Sequence, residues 1–319
     1  MTGIEHDPTI RPLHGTQELE LFNRLPFVLN HEFAVDLDEG RRRTDWMWVA
    51  LDGDRILARL AFWRRRREDP TPFLLDVLDV DDTDEDLDRV AVLTDLLRAA
   101  GAEVLGPDGS WPEYLRFVDA GWRDLPGTRR AVDERMEAVA RVGGVPFVER
   151  LRYRWRAADT PVPSGSGRLR FRGIRDEAEI LSLMARALEG TLDGHDRADL
   201  AGASPEQVAR ANFDEEFARY ATPRSWWRIA TLDGGEPVGF VVPGRNAKHP
   251  IIGYIAVLPE HRGHGYIDDL LAEGTRVLAE EGGETYAHAA TDLGNVPMAR
   301  AFDRAGYTTV SGVVSMVWP

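Results

Sequence analysis

The sequence has no cysteine. That excludes disulfides, thiolate metal sites and a cysteine-acyl intermediate. Lysine is nearly absent too: Lys248 stands alone and the other cationic side chains are arginine or histidine. Coding bias accounts for this, so Arg41-Arg42-Arg43 and Arg64-Arg65-Arg66-Arg67 read as solvated faces, with a specific anion site as the lesser alternative. No apolar run approaches the ~18 residues of a membrane span. Met1–Asp7 lacks the basic and apolar regions of a signal peptide. A cytoplasmic protein without a membrane partner is expected. Positive charge is also short, and a net charge of −15 speaks against a nucleic-acid partner, whose phosphates need a basic face. No histidine–carboxylate spacing suits zinc, so no metal is expected.

What is present is an ordinary globular balance, 43% hydrophobic and 29% charged over 319 residues, long enough for two cores. The chain looks written twice. Ser110–Trp122 and Asn295–Tyr307 align without a gap, setting Pro112, Phe117, Ala120 and Gly121 on Pro297, Phe302, Ala305 and Gly306. Trp46–Gly53 echoes Trp227–Gly234, each a strand entering a turn, and Ile10–Leu13 echoes Phe171–Ile174 before a helix. Between the copies, 157–167 has the proline, glycine and serine of a linker. The expected domains are 1–156 and 168–319.

In the second copy, Arg168–Ile174 reads as a strand. Asp176, with Glu179 three residues on, opens a helix whose apolar stripe is Ile180, Leu183, Met184, Ala187 and Leu188. Ser204-Pro205-Glu206-Gln207 opens another. Ser225–Thr231 and Glu236–Val242 form a hairpin, and Ile251–Val257 is an apolar central strand. Ile267, Leu270, Leu271, Gly274, Val277 and Leu278 follow helical spacing. Thr285–Thr291 is a strand, Pro297–Arg304 a helix and Thr308–Val317 a last strand. Strands interleaved with helices and a hairpin predict an α/β fold with a mixed sheet covered by helices.

The chemistry concentrates at Arg262-Gly263-His264-Gly265-Tyr266, between the central strand and the long helix. Two glycines allow a sharp turn and close approach of a ligand. Successive N–H groups at a helix N-terminus favour an anion such as a pyrophosphate, and Arg262 adds a cation. A bare glycine turn without a ligand is the plainer alternative. The stretch Ile255-Ala256-Val257-Leu258-Pro259-Glu260-His261-Arg262-Gly263-His264-Gly265 resembles motif A of the GNAT acetyltransferase superfamily, and Asn295 followed by Ala305-Gly306-Tyr307 resembles its later motif. The resemblance covers about 225 to 319 and extends toward 168. It implies two tandem GNAT-like domains, the first degenerate, with acetyl-CoA as co-substrate. It further implies pantetheine along the backbone of Ile255, Ala256 and Val257, pyrophosphate on Arg262, Gly263, His264, Gly265 and Tyr266, and Asn295 orienting the thioester. Transfer would be direct attack by a primary amine of a small molecule or peptide, with much of the rate from positioning.

Three positions depart from the family pattern. Ile267 replaces a small residue, Phe302 a proton-donating tyrosine, and Gly253 a glutamate base. The loss of acid–base help costs roughly 10²–10⁴-fold. Substitute catalytic candidates are Tyr254 and the same-parity trio Tyr286, His288 and Asp292. Glu189, Asp193, His195, Asp196 and Asp199 form either an acidic rim that attracts a cationic acceptor or a solvated loop. In the first copy, Val80-Asp81-Asp82-Thr83-Asp84-Glu85-Asp86 replaces the glycine turn and Ser110 stands for Asn295, so that copy is expected to bind no coenzyme A. Two alternatives stay open: a catalytically impaired acyl-CoA-binding or scaffold module, and a transferase for a longer acyl group. Monomer and homodimer are both compatible with the sequence.

Overall fold

The computed structural model describes residues 8–107, 109–246 and 248–319. The reading of Met1–Asp7 lies outside them. The chain forms two compact units. One runs to Val148 and takes in Val313–Pro319; the other is Glu149–Gly312. The division differs from the expected one, because strand pairing outweighs linker composition. Ala157 N donates to Thr285 O at 2.9 Å, and Ser166 donates to the Asp269 carboxylate through both its N–H and its hydroxyl. The 157–167 stretch is therefore part of the second unit.

The first unit is built from β1 (Thr9–Pro12), α1 (Leu19–Phe22), α2 (Phe33–Asp38), β2 (Met47–Asp52), β3 (Arg55–Trp63), β4 (Leu74–Val80), α3 (Arg89–Val104), β5 (Glu113–Asp119), α4 (Pro126–Arg141) and the start of β6 (Val145–Arg156). Strands β1 to β4 pair antiparallel in order. β5 runs parallel to β4, with Leu74 opposite Glu113 and Leu75 opposite Tyr114. The C-terminal residues finish this unit. Val314 and Met316 are buried, and Trp318 stacks on Trp111 at 4.8 Å and donates Nε1 to Val142 O at 2.9 Å.

The second unit holds the rest of β6, then β7 (Arg170–Gly173), α5 (Glu177–Ala187), α6 (Gly194–Asp199), α7 (Pro205–Glu215), β8 (Arg228–Thr231), β9 (Pro237–Arg245), β10 (Pro250–Val257), α8 (Tyr266–Arg276), β11 (Tyr286–Asp292), α9 (Val296–Arg304) and the first half of β12 (Thr308–Val317). Its strands lie in the order β6-β11-β10-β9-β8-β7. Local signals explain the helices. Asp176 Oδ1 accepts from Glu179 N at 2.8 Å, while the Glu179 carboxylate turns to Arg172 and to Arg175 N. Ser204 and Gln207 close a full capping box. The predicted stripe of α5 is buried from Ile180 to Leu188. Gly274 lets α8 sit against β9: a Cβ there would lie 2.7 Å from Val241 Cγ2.

Both units thus repeat one order of elements, and two of the three sequence matches fall on equivalent strands: β1 with β7, and β2 with β8. The third does not. Ser110–Trp122 holds strand β5, whereas Asn295–Tyr307 holds helix α9. Shared apolar spacing across a short window carried that match, and such spacing serves either a helix or a strand. Ser110 is therefore no counterpart of Asn295.

Candidate active site

In the second unit, β10 and β11 run parallel and pair at Ile251 with His288. Beyond that point they part, leaving the β11-facing edge of β10 without a strand partner. β9 holds the other edge, with Ile255 opposite Val241 and Val257 opposite Gly239. A bulge at Gly253 shifts the register between Ile252 and Tyr254. One extra residue flips the alternation: Ile252, Ile255 and Val257 pack toward α8 and α9, and Tyr254 and Ala256 toward α5 and α7.

The parting strands frame a cleft of about 660 Å³. Of the residues expected to hold a cofactor, Ile255, Ala256, Val257, Arg262, Gly263, Gly265, Tyr266 and Asn295 line it, and His264 does not. Gly263 and Gly265 have φ of +83° and +74°, a region that only glycine enters cheaply. Among the described residues, the N–H groups of Gly263, His264 and Gly265 have no backbone acceptor. They stand at the N-terminus of α8, where no side chain caps the helix. Three free donors on a positive helix end suit a pyrophosphate. Asn295 Oδ1 caps α9 by accepting from Met298 N at 3.3 Å. Ile267 lines the cleft from the first turn of α8, which starts at Tyr266.

Arg262 is placed otherwise than expected. Its guanidinium donates to the carbonyls of Val257 (3.1 Å), Glu189 (2.6 Å) and Ala187 (2.8 Å), closing the end of α5. It fixes the loop more than it offers a cation. Arg168, which sequence reasoning passed over, reaches the loop from outside, donating to His264 O at 2.9 Å and pairing with buried Asp269 at 3.0 Å.

The four catalytic candidates separate. Tyr254 and His288 line the cleft; Tyr286 and Asp292 do not. Asp292 is buried, accepting from Arg150 Nε at 2.8 Å and from Gly194 N at 2.6 Å, so it ties β6 to the start of α6. Tyr254 lies between Phe217 and Phe240, at 5.6 and 5.1 Å. Burial, and then the Asp196 and Asp193 carboxylates, push its phenol well above the ordinary tyrosine range. Phe302 lines the cleft and stacks on Tyr153 at 4.7 Å.

Carboxylates also line the cleft. Asp193 and Asp196 of the predicted rim line the cleft, whereas Glu189, His195 and Asp199 do not. Asp193 caps α6 and pairs with Arg150 at 2.7 Å. Asp196 accepts from Asn212 Nδ2 at 3.2 Å and Thr191 Oγ1 at 3.3 Å. Burial, reinforced by Asp193, pushes its carboxyl up to about 6. Glu216, which no sequence signal marked, also lines the cleft and accepts from Tyr220 Oη at 2.7 Å. A Cβ at Gly253 would collide with that same Tyr220 hydroxyl. A carboxylate thus reaches the neighbourhood of Gly253 from another element.

Among the described residues, no helix is long and apolar enough to cross a membrane, and no group of three or more histidines and carboxylates is arranged to hold a metal ion. Residues 195–307 match the model of the acetyltransferase (GNAT) family. No curated protein matches the sequence. Among solved structures, the fold is shared with a GCN5-related N-acetyltransferase from Sphaerobacter thermophilus, 15% identical, covering 97% of this chain and 94% of that one at a TM-score of 0.58. It is shared too with a tandem GNAT protein from the clavulanic acid biosynthesis pathway, 17% identical, covering 97% and 98% at a TM-score of 0.51.

Proposed function

We propose that the chain, whose residues 195–307 match the acetyltransferase (GNAT) family model, transfers an acetyl group from acetyl-CoA to a primary amine of a small molecule or peptide in the cytoplasm. One observation carries the choice of co-substrate: the gap between β10 and β11 ends at three unpaired N–H groups on the N-terminus of α8. Gly263, Gly265 and their neighbours would hold the pyrophosphate, the open edge of Ile255 and Val257 the pantetheine, and Asn295 the thioester end. The bound co-substrate supplies an activated acetyl thioester.

This chain's residues supply the proton traffic. Asp193, Asp196 and Glu216 favour a cationic amine at the far end of the cleft. Asp196, with a carboxyl titrating near 6, accepts the proton that the amine must lose before attack. The amine nitrogen forms the new C–N bond as the C–S bond breaks. Tyr254, whose phenol burial keeps protonated, lines the cleft and hydrogen-bonds the leaving thiolate without giving up its proton. The pair replaces the groups missing at Gly253 and Phe302.

Calorimetric titration of acetyl-CoA into the wild type and Gly265→Val tests the site. A side chain at φ +74° strains the loop, so one site per chain and at least about tenfold weaker binding in the variant are expected. Equal binding by both proteins overturns the assignment. Turnover across an amine panel then tests transfer.

A further inference from the structure

Strand β6 reads Arg150-Leu151-Arg152-Tyr153-Arg154-Trp155-Arg156. A period of two sets all four arginines on one face. Leu151, Tyr153 and Trp155 join the core on the other. In the pairing with β11, Arg156 lies opposite Tyr286, Arg154 opposite His288 and Arg150 opposite Asp292. The two ends of this row have carboxylates: Arg150 has Asp193 and Asp292, and Arg156 has Asp159 at 3.6 Å. Arg154 differs. Its guanidinium has no ion pair among the described residues, and its Nε is buried without a hydrogen bond.

A pocket of about 700 Å³ opens at Arg154, with Arg156, His249, Thr285, Tyr286 and His288 in its wall and no carboxylate. The rings of His249 and His288 stack at 4.5 Å, and Tyr286 Oη lies 3.5 Å from His249 Nδ1. His288 Nδ1 is a second buried polar atom without a partner. His288 also lines the acetyl-transfer cleft, so cleft and pocket share a wall. In a chain of net charge −15, a concavity with two guanidiniums, two imidazoles and no acid is the inverse of the surroundings. Burying part of a guanidinium without a counter-charge costs free energy, and an anion reverses that cost. Burial first, and then the positive charge of His249, Arg152 and Arg154, push the His288 imidazole down to about 4.

We propose that this pocket holds the anionic group, a carboxylate or a phosphate, of an acyl acceptor whose amine enters the neighbouring cleft. The inference rests on the acetyl-transfer reading for the amine and on the pocket alone for the anion. It makes the acceptor a zwitterion: the amine faces Asp193, Asp196 and Glu216, and the anion faces Arg154 and Arg156.

The test follows the His249 and His288 ring signals by NMR in histidine-labelled protein during titration with inorganic phosphate and, separately, succinate. Saturable shifts with at least one probe are expected in the wild type. Arg154→Gln should weaken the response at least tenfold and leave acetyl-CoA affinity unchanged. The stronger probe identifies the anion. No shift in the tens-of-millimolar range, or equal shifts in Arg154→Gln, overturns the proposal. His249→Gln and Tyr286→Phe, on half-buried side chains, repeat the test should Arg154→Gln fold poorly. Ring shifts without acetyl-CoA binding would sink the acetyl-transfer reading and leave the anion pocket standing; the converse would sink the pocket alone.

Discussion

Each unit carries a parallel strand pair that separates, and the two gaps are filled differently. In the second unit, β10 and β11 part after Ile251 and His288 and enclose a cleft. In the first, β4 and β5 part after Leu75 and Tyr114, and arginines close the gap. Two residues past Tyr114, Arg116 donates to Leu78 O at 3.1 Å and Asp79 at 2.9 Å. Two residues past His288 stands Ala290. Arg59 meets buried Asp79 at 2.8 Å, and Arg135 of α4 reaches Leu78 O at 3.1 Å and Asp82 at 2.8 Å. The surrounding cations hold the Asp79 carboxyl below its ordinary range against the effect of burial. The acidic loop after β4 is bound as well, with Arg55 pairing Asp81 and Asp84. A repeated frame keeps its fold where ion pairs fill the gap that stays open in the other unit.

The sharpest way to break this contrast is to remove the centre of the plug. Asp79→Ala leaves Arg59, Arg116 and Arg135 buried without their shared carboxylate, and should destabilise the protein by about 3–5 kcal/mol in chemical denaturation. A loss below about 1 kcal/mol would mean the ion pairs do not hold the gap.

Next in size is Asp196→Asn, expected to lower kcat by roughly 10²-fold or more. The wild-type kcat/KM should fall as pH drops through about 6, where the carboxylate gains a proton and can no longer accept one. The variant should lose that limb. Stability moves the other way. With the folded carboxyl raised to about 6, the folded state keeps a proton between pH 4 and 6 that the unfolded chain releases. The group's contribution to stability is therefore full below about pH 4 and lost as pH rises through about 6. Asp196→Asn should raise Tm at pH 7 by the equivalent of on the order of 1–2 kcal/mol and leave it nearly unchanged at pH 4. An unaltered acid limb in the variant would remove Asp196 from the proton path.

Stoichiometry sharpens the comparison further. One coenzyme A per chain is expected, and none detectable at a second site when Gly265→Val weakens the first. The smallest effect belongs to Ile267→Ala, which restores the small residue of the family pattern. Because Ile267 lies in the first turn of a helix that starts directly after Gly265, acetyl-CoA affinity should change by no more than roughly threefold. A larger gain would show that Ile267 obstructs the loop.

The elements of the second unit were legible because their signals are local. Asp176, Ser204 and Gln207 cap where expected, and the stripe from Ile180 to Leu188 is buried. Gly263 and Gly265 identify the turn because, lacking a Cβ, they take positive φ freely. Residues that act through long-range contacts were not legible. Nothing in the sequence says that Arg262 turns to the carbonyls of α5, or that Tyr220 sets Glu216 over Gly253. The alternating arginines of β6 were readable as a one-sided strand. They fell where linker composition suggested the end of a domain, and that masked the second unit's claim to them.

That sharing of sequence has a temporal side. The first unit needs Val313–Pro319, which are synthesised more than 160 residues after Val148. At 5–20 residues per second the ribosome takes on the order of ten seconds or more to deliver them. During that interval the edge of β5, next to which β12 finally lies, faces the cell unpaired. The nascent chain cannot finish its first half first: the first unit closes only after the second has been synthesised.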